Sequence, residues 1–238
     1  MSDGLPARLN EVKQRISAAC RIAGRAADSV QLVAVSKTFP SELIREAYDA
    51  GQLTFGESRQ QEAQPKIDSL PEEIDWHFIG RVQRNKVRKI LSSFSTIHAI
   101  DSLKLADFTS SVSKDLGVVP NVFLQVNVGG EESKGGFEPD ELDREAESVF
   151  AIEGIQICGL MTVPPASEQK EQSRKWFSQL RDIRDGLEAK FAVTLPYLSM
   201  GMSSDYEVAI EEGATHVRVG SAIFGGRSYH VDGELGAR

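Results

Sequence analysis

The chain has 238 residues, 40% of them hydrophobic and 26% charged, with a formal charge of -8, which suits one large α/β domain or two small ones and argues against a surface built to neutralise nucleic-acid phosphates. Cys20 and Cys158 show no CxxC pair and no metal-ligand spacing, so neither a zinc site nor a disulfide framework is indicated and a reducing cytoplasm fits. The sequence opens without a basic-then-apolar leader and holds no apolar run of bilayer-spanning length, which sets aside secretion and membrane insertion.

Apolar residues Leu5, Leu9, Val12, Ile16, Ala19 and Ile22 recur at three-and-four spacing and predict a leading amphipathic helix within residues 1–30. The run 32–36 predicts the first strand and ends at Lys37. A helix follows from Pro40 to the stop signal at Gly51, then a strand over 53–56. The alternation continues: strand 76–79, helix 85–91, strand 96–100, helix 102–116, strand 122–128 and helix 139–150. It closes with strand 155–163, helix 167–190, a short strand 197–200, helix 204–212 and strand 216–224. Nearly eight strand-then-helix units, with no linker or shift in composition, point to a single (β/α)8 TIM-like barrel across residues 1–238, with an extra N-terminal helix and a polar tail over 228–238. A doubly wound open sheet is the alternative. It is weakened because neither GxGxxG nor a Walker loop follows any predicted strand.

In a barrel, the carboxyl ends of the strands share one mouth. Lys37, Glu57, Ser58, His77, Asp101, Asn127, Thr162, the 199–204 segment and the 218–221 segment are then neighbours, however far apart in sequence. Lys37 either ends its strand in water or is a nucleophilic amine suited to an aldehyde. Ser199-Met200-Gly201-Met202-Ser203-Ser204 and Arg218-Val219-Gly220-Ser221 fall at the last two strands, where barrels often seat phosphate. Each loop taken alone is equally a helix cap or a bend; together they favour an anion. Arg218, between two valines, needs an acceptor, either on a ligand or on a carboxylate such as Glu57. His77 reads as a base, as a stacking partner for a ring, or as a satisfied histidine within the barrel layers. An aldehyde-reactive amine, a phosphate site and a polar group for a ring nitrogen together make pyridoxal 5'-phosphate (PLP) the leading cofactor.

The blocks LVAVSKT (32–38), FGE (55–57), WHFIG (76–80) with Gln83, Asn85 and Lys86, GLM (159–161), LSMGMS (198–203) and VRVGSAIF (217–224) resemble the pyridoxal phosphate homeostasis proteins, the YggS/PROSC family. The resemblance implies a barrel like the N-terminal domain of alanine racemase, with PLP held as an internal aldimine on Lys37. Ser203, Gly220 and Ser221 match phosphate-holding positions, and Arg218 matches the arginine facing the pyridine nitrogen. Met200, Ser58 and His77 join the cofactor-binding set. Ser58 stands where the family carries asparagine and is expected to substitute weakly; Val82 and the stretch Ser133-Lys134-Gly135-Gly136 are milder departures.

The family resemblance also implies a carrier or buffer of PLP more than an efficient enzyme. Racemases of this barrel type add a second domain and a partner subunit, so a chain ending soon after the eighth strand is expected to have an open mouth. An arginine at the ring nitrogen also weakens the cofactor as an electron sink. The expectation is a cytoplasmic monomer, with PLP and apo-PLP enzymes as partners. A weak amino-acid racemase and a structural barrel with an incidental lysine are the competing readings.

Overall fold

The computed structural model describes residues 4–131, 135–165 and 169–226. The expected features at Ser133 and Lys134, at the start of the 167–190 helix and in the 228–238 tail therefore lie outside the described residues. Helix α1 (Leu5–Ile22) starts with Pro6 in its first turn, where a missing N–H costs nothing. It buries Leu5, Leu9, Val12 and Ile16, each worth about 1.5–3 kcal/mol when fully covered. The chain then alternates through β1 (Gln31–Val35), α2 (Ser41–Asp49), β2 (Thr54–Glu57), α3 (Gln60–Ser69), β3 (Asp75–Phe78), α4 (Val87–Leu91), β4 (Thr96–Ile100) and α5 (Leu103–Leu116). It continues through β5 (Asn121–Gln125), α6 (Pro139–Phe150), β6 (Gln156–Met161), α7 (Arg174–Phe191), β7 (Tyr197–Met202), α8 (Tyr206–Glu211), β8 (His216–Val219) and α9 (Ser221–Phe224).

The strands are parallel and close in the order β1 to β8, with β1 paired to β8 through Val33 opposite Arg218. This is the expected barrel, and α1 packs outside it against α2, α8 and α9. Several strand ends shift by a few residues, and two differences from the sequence reading are larger. Helix α3 escaped notice because it is polar and carries Pro65, although it buries Gln60, Ala63 and Lys66. The last strand stops at Val219, since Gly220 (φ -118°, ψ -76°) turns the chain into α9.

Side chains alternate between the helix layer and the barrel interior. On β1, Leu32 and Ala34 join the helix-facing core, while Gln31 lies at the amino-terminal opening and Val35 at the carboxyl mouth. Gly56 lacks a side chain where the interior is tight: a Cβ there would come within 2.9 Å of a Val33 methyl.

Candidate functional site

The carboxyl mouth holds a cavity of about 420 Å³. Lys37 enters it from just beyond β1, half-buried. Thr38, which follows, sits at φ 70°. That conformation is uncommon for a β-branched residue and marks a strained turn beside the amine. Ser203 and Ser204 come from the turn after β7, and Gly220 and Ser221 from the turn after β8. The two turns are tied together, for the Gly220 amide donates to Ser203 Oγ at 3.2 Å. Gly201 (φ 91°) shapes the first turn, and the Met202 amide donates to Asp205 Oδ1 at 2.8 Å. Val35, Phe39, Ile79, Val163 and Met202 give the cavity apolar walls, and Phe39 stacks on Phe224 at 4.9 Å.

Arg218 lies in the cavity wall, 5% exposed. Its Nη1 donates to Ser199 Oγ and its Nη2 to the Thr162 carbonyl at 2.8 Å. Burial lowers its pKa to about 10, against a smaller raising effect of Asp205. Among the described residues no carboxylate forms an ion pair with it. The alternative that Glu57 serves as its partner is therefore corrected. Glu57 Oε1 instead accepts from Lys66 Nζ at 2.8 Å and from Ser36 Oγ at 2.7 Å, and Lys66 also donates to the Ser36 carbonyl at 3.0 Å. This buried pair braces the residue that precedes Lys37.

Lys37, Ser203, Arg218, Gly220 and Ser221 are thus brought to one cavity, whereas three other expected residues are not. Ser58 lines a separate groove with Arg59, Arg81 and Lys86, its backbone pressed so close under Gly80 that a Cβ there would sit 2.2 Å from the Ser58 carbonyl oxygen. His77 opens toward the amino-terminal end, with Asp75 and His216. It sits two residues before Ile79 on the same face of β3, about 7 Å deeper at the usual strand rise. Met200 is fully buried in the helix-facing core, and Met202 takes the place at the mouth. Sequence reasoning also missed Phe39, Ile79 and Val163; Ile79 was signalled by its place at the end of a predicted strand.

The chain's likeness to known proteins agrees with this fold. Residues 8–228 match the family described as alanine racemase, N-terminal domain. Pyridoxal phosphate homeostasis proteins are 45% identical in Aquifex aeolicus (93% of this chain, 98% of that one) and 43% in Pseudomonas aeruginosa (92% and 94%). In Escherichia coli K12 the figure is 38% (93% and 96%). Among solved structures, PipY of Synechococcus elongatus, with PLP bound, superposes with a TM-score of 0.80 at 38% identity, covering 90% of this chain and all of that one. Alanine racemase of Clostridium difficile shares the fold alone, at a TM-score of 0.73 and 16% identity over 96% of this chain and 58% of that one.

Proposed function

This chain belongs to the pyridoxal phosphate homeostasis protein family, and on that premise we propose that it holds PLP at the carboxyl mouth of the barrel for storage and delivery, without efficient catalysis. The observation that carries this reading is the donor set of one cavity. Lys37 and Arg218 supply cationic groups, Ser203, Ser204 and Ser221 supply hydroxyls, apolar walls suit a ring, and no carboxylate lines the space among the described residues. That set fits a phosphorylated aromatic aldehyde. Bound there, PLP supplies an aldehyde that condenses reversibly with a primary amine.

Each residue then has a task. Lys37 offers the amine, steadied by the Lys66–Glu57 pair behind Ser36. Ser203, Ser221 and the Gly220 turn would hold the phosphate between two linked turns. Arg218 would face the ring nitrogen as a donor, which would oppose protonation of the ring. Racemisation needs acid–base groups on both faces of a substrate carbon, and apart from Lys37 and Arg218 no titratable side chain lines this cavity among the described residues. That supports a carrier over a racemase.

No helix among the described residues is long and apolar enough to cross a membrane. We propose a monomer of the cytoplasm that supplies apo-PLP enzymes. The test is reconstitution with PLP, borohydride reduction and peptide mass mapping. A label on Lys37, lost in Lys37→Ala, is expected; a protein that takes up no PLP, or a label elsewhere, overturns the reading. Alanine racemisation that Lys37→Ala abolishes would overturn the non-catalytic part. Faster activation of an apo-enzyme by the loaded protein than by free PLP is the expected sign of delivery.

A further inference from the structure

The barrel axis carries a chain of hydrogen bonds between its two ends. Asp75 Oδ2 lies 2.9 Å from His77 Nε2, His77 Nδ1 lies 3.0 Å from His98 Nε2, and His98 Nδ1 lies 2.7 Å from Ser199 Oγ. Ser199 Oγ in turn meets Arg218 Nη1. His77, His98, Ser199 and Arg218 are each 5% exposed or less, while the Asp75 side chain is 39% exposed at the amino-terminal opening, beside a cavity of about 540 Å³.

The direction of every bond follows from its ends. A guanidinium only donates and a carboxylate only accepts, so with one proton on each ring Ser199 Oγ accepts from Arg218 and gives its proton to His98 Nδ1. His98 then carries hydrogen on Nε2 and donates to His77 Nδ1. His77 carries hydrogen on Nε2 and donates to the Asp75 carboxylate, whose other oxygen accepts from Ser95 Oγ. With one proton on each ring, every bond of the chain is made. Barrel interiors are usually filled by branched apolar residues, and polar rings there cost free energy unless they are bonded. Bonds in such a buried chain polarise and strengthen one another. The chain ends on an arginine that no carboxylate among the described residues pairs with directly.

We propose that Asp75, His77, His98 and Ser199 are positioning residues for Arg218, forming a relay through which a carboxylate at the amino-terminal end orients the guanidinium at the opposite mouth. The proposal rests on the PLP reading only in taking Arg218 to meet the ligand. Burial, with His77, His216 and Arg218 nearby, keeps the His98 pKa well below the ordinary histidine value, in keeping with a neutral ring.

Two measurements test it. The first is long-range ¹H–¹⁵N NMR of the histidines in protein without cofactor, where His77 and His98 are both expected to carry the proton on Nε2. A proton on His98 Nδ1 overturns the relay, whatever the mouth binds. The second is PLP titration of Ser199→Ala, Ser199→Thr and Asp75→Asn, each checked for native circular dichroism. Ser199→Ala removes the oxygen that joins Arg218 to His98 and is expected to bind PLP roughly 5- to 10-fold more weakly, with Ser199→Thr within about 2-fold of the parent; Asp75→Asn keeps an acceptor for His77 but removes the charge that assists that bond, with a loss of roughly the same size expected. Asp75→Asn should also shift the visible absorption of bound PLP, although Asp75 lies at the far opening. Unchanged affinity and spectrum in both Ser199→Ala and Asp75→Asn overturn the proposal. If the parent protein binds no PLP, the proposed function fails, and the tautomers still decide the relay.

Discussion

Removing Lys66 tests how the fold braces the amine. Glu57 is fully buried and the Lys66 side chain is 11% exposed. Oε1 of Glu57 accepts from Lys66 and Ser36, whereas Oε2 has no hydrogen-bond partner. Lys66→Met keeps the volume and leaves a carboxylate in the interior with one neutral donor. Removing one partner of a buried pair costs about 3–5 kcal/mol, a large share of the roughly 5–15 kcal/mol that holds a domain folded. With a urea slope of about 2–3 kcal/mol per molar, the unfolding midpoint should fall by about 1–2.5 M. The double variant Lys66→Met/Glu57→Gln removes both charges. The side-chain amide oxygen it introduces still accepts from Ser36, and the Ser36 carbonyl keeps its bond from the Phe39 amide at 3.1 Å. The double variant should therefore regain at least about 2 kcal/mol, the coupling read by a double-mutant cycle. A single variant within about 1 kcal/mol of the parent, or a double variant no better than the single, would refute the assignment of this pair as the brace behind Lys37.

Ser203→Ala combined with Ser221→Ala should weaken PLP retention on dialysis about 10-fold or more by the loss of hydrogen bonds to a charged group, and unchanged retention would remove these hydroxyls from the phosphate site. Gly201→Ala places a Cβ 2.6 Å from the Ala209 Cβ at φ 91°, so thermal or urea unfolding should show a loss of about 1–3 kcal/mol; a change under about 0.5 kcal/mol would contradict the strain. Burial pushes the Cys158 thiol up to about 12, and its Sγ donates to the Val122 carbonyl at 3.3 Å. Intact-mass analysis at pH 8 should find it unalkylated by iodoacetamide until urea unfolds the chain. Burial, with His77 and Arg218, lowers His216 to about 3. The unfolded ring takes its proton near pH 6.5, so its contribution to stability is complete above that pH and is lost as pH falls toward 3. The slope is about 1.4 kcal/mol per pH unit. His216→Gln should flatten the stability profile between pH 6.5 and 4.5 by about 2 kcal/mol, and an unchanged slope would show that His216 is not held neutral.

The strands were legible because each is a short apolar run bounded by turn residues, and Lys37, Ser203, Gly220 and Ser221 were legible because they close such runs. Depth along a strand was not. His77 belongs to the run 76–79, yet a side chain two residues short of the mouth faces the other opening, and nothing in the local spelling distinguishes it from Ile79. Ser58 failed for a different reason: the strand had ended at Glu57, and Gly80 lets the chain press inward there without delivering the Ser58 side chain to the cavity. The relay was invisible because its members come from β3, β4, β7 and β8, and only the closed register places them in line.

Met200 and Met202 show where period-two reasoning breaks down and what the break accomplishes. In a regular strand, Ser199 and Met202 face opposite sides, because they are three positions apart. Here Ser199 is opposite His216 and Met202 opposite Arg218, so three steps on β7 match two on β8. Gly201, in a backbone conformation that a side chain would strain, lies within the irregularity. As a result Ser199 reaches Arg218 inside the barrel while Met202 and Ser203 still arrive at the mouth. A regular β7 would give up one or the other. The bulge therefore joins the arginine's support to the phosphate turn, and the glycine that permits it is as much a part of the site as the hydroxyls it presents.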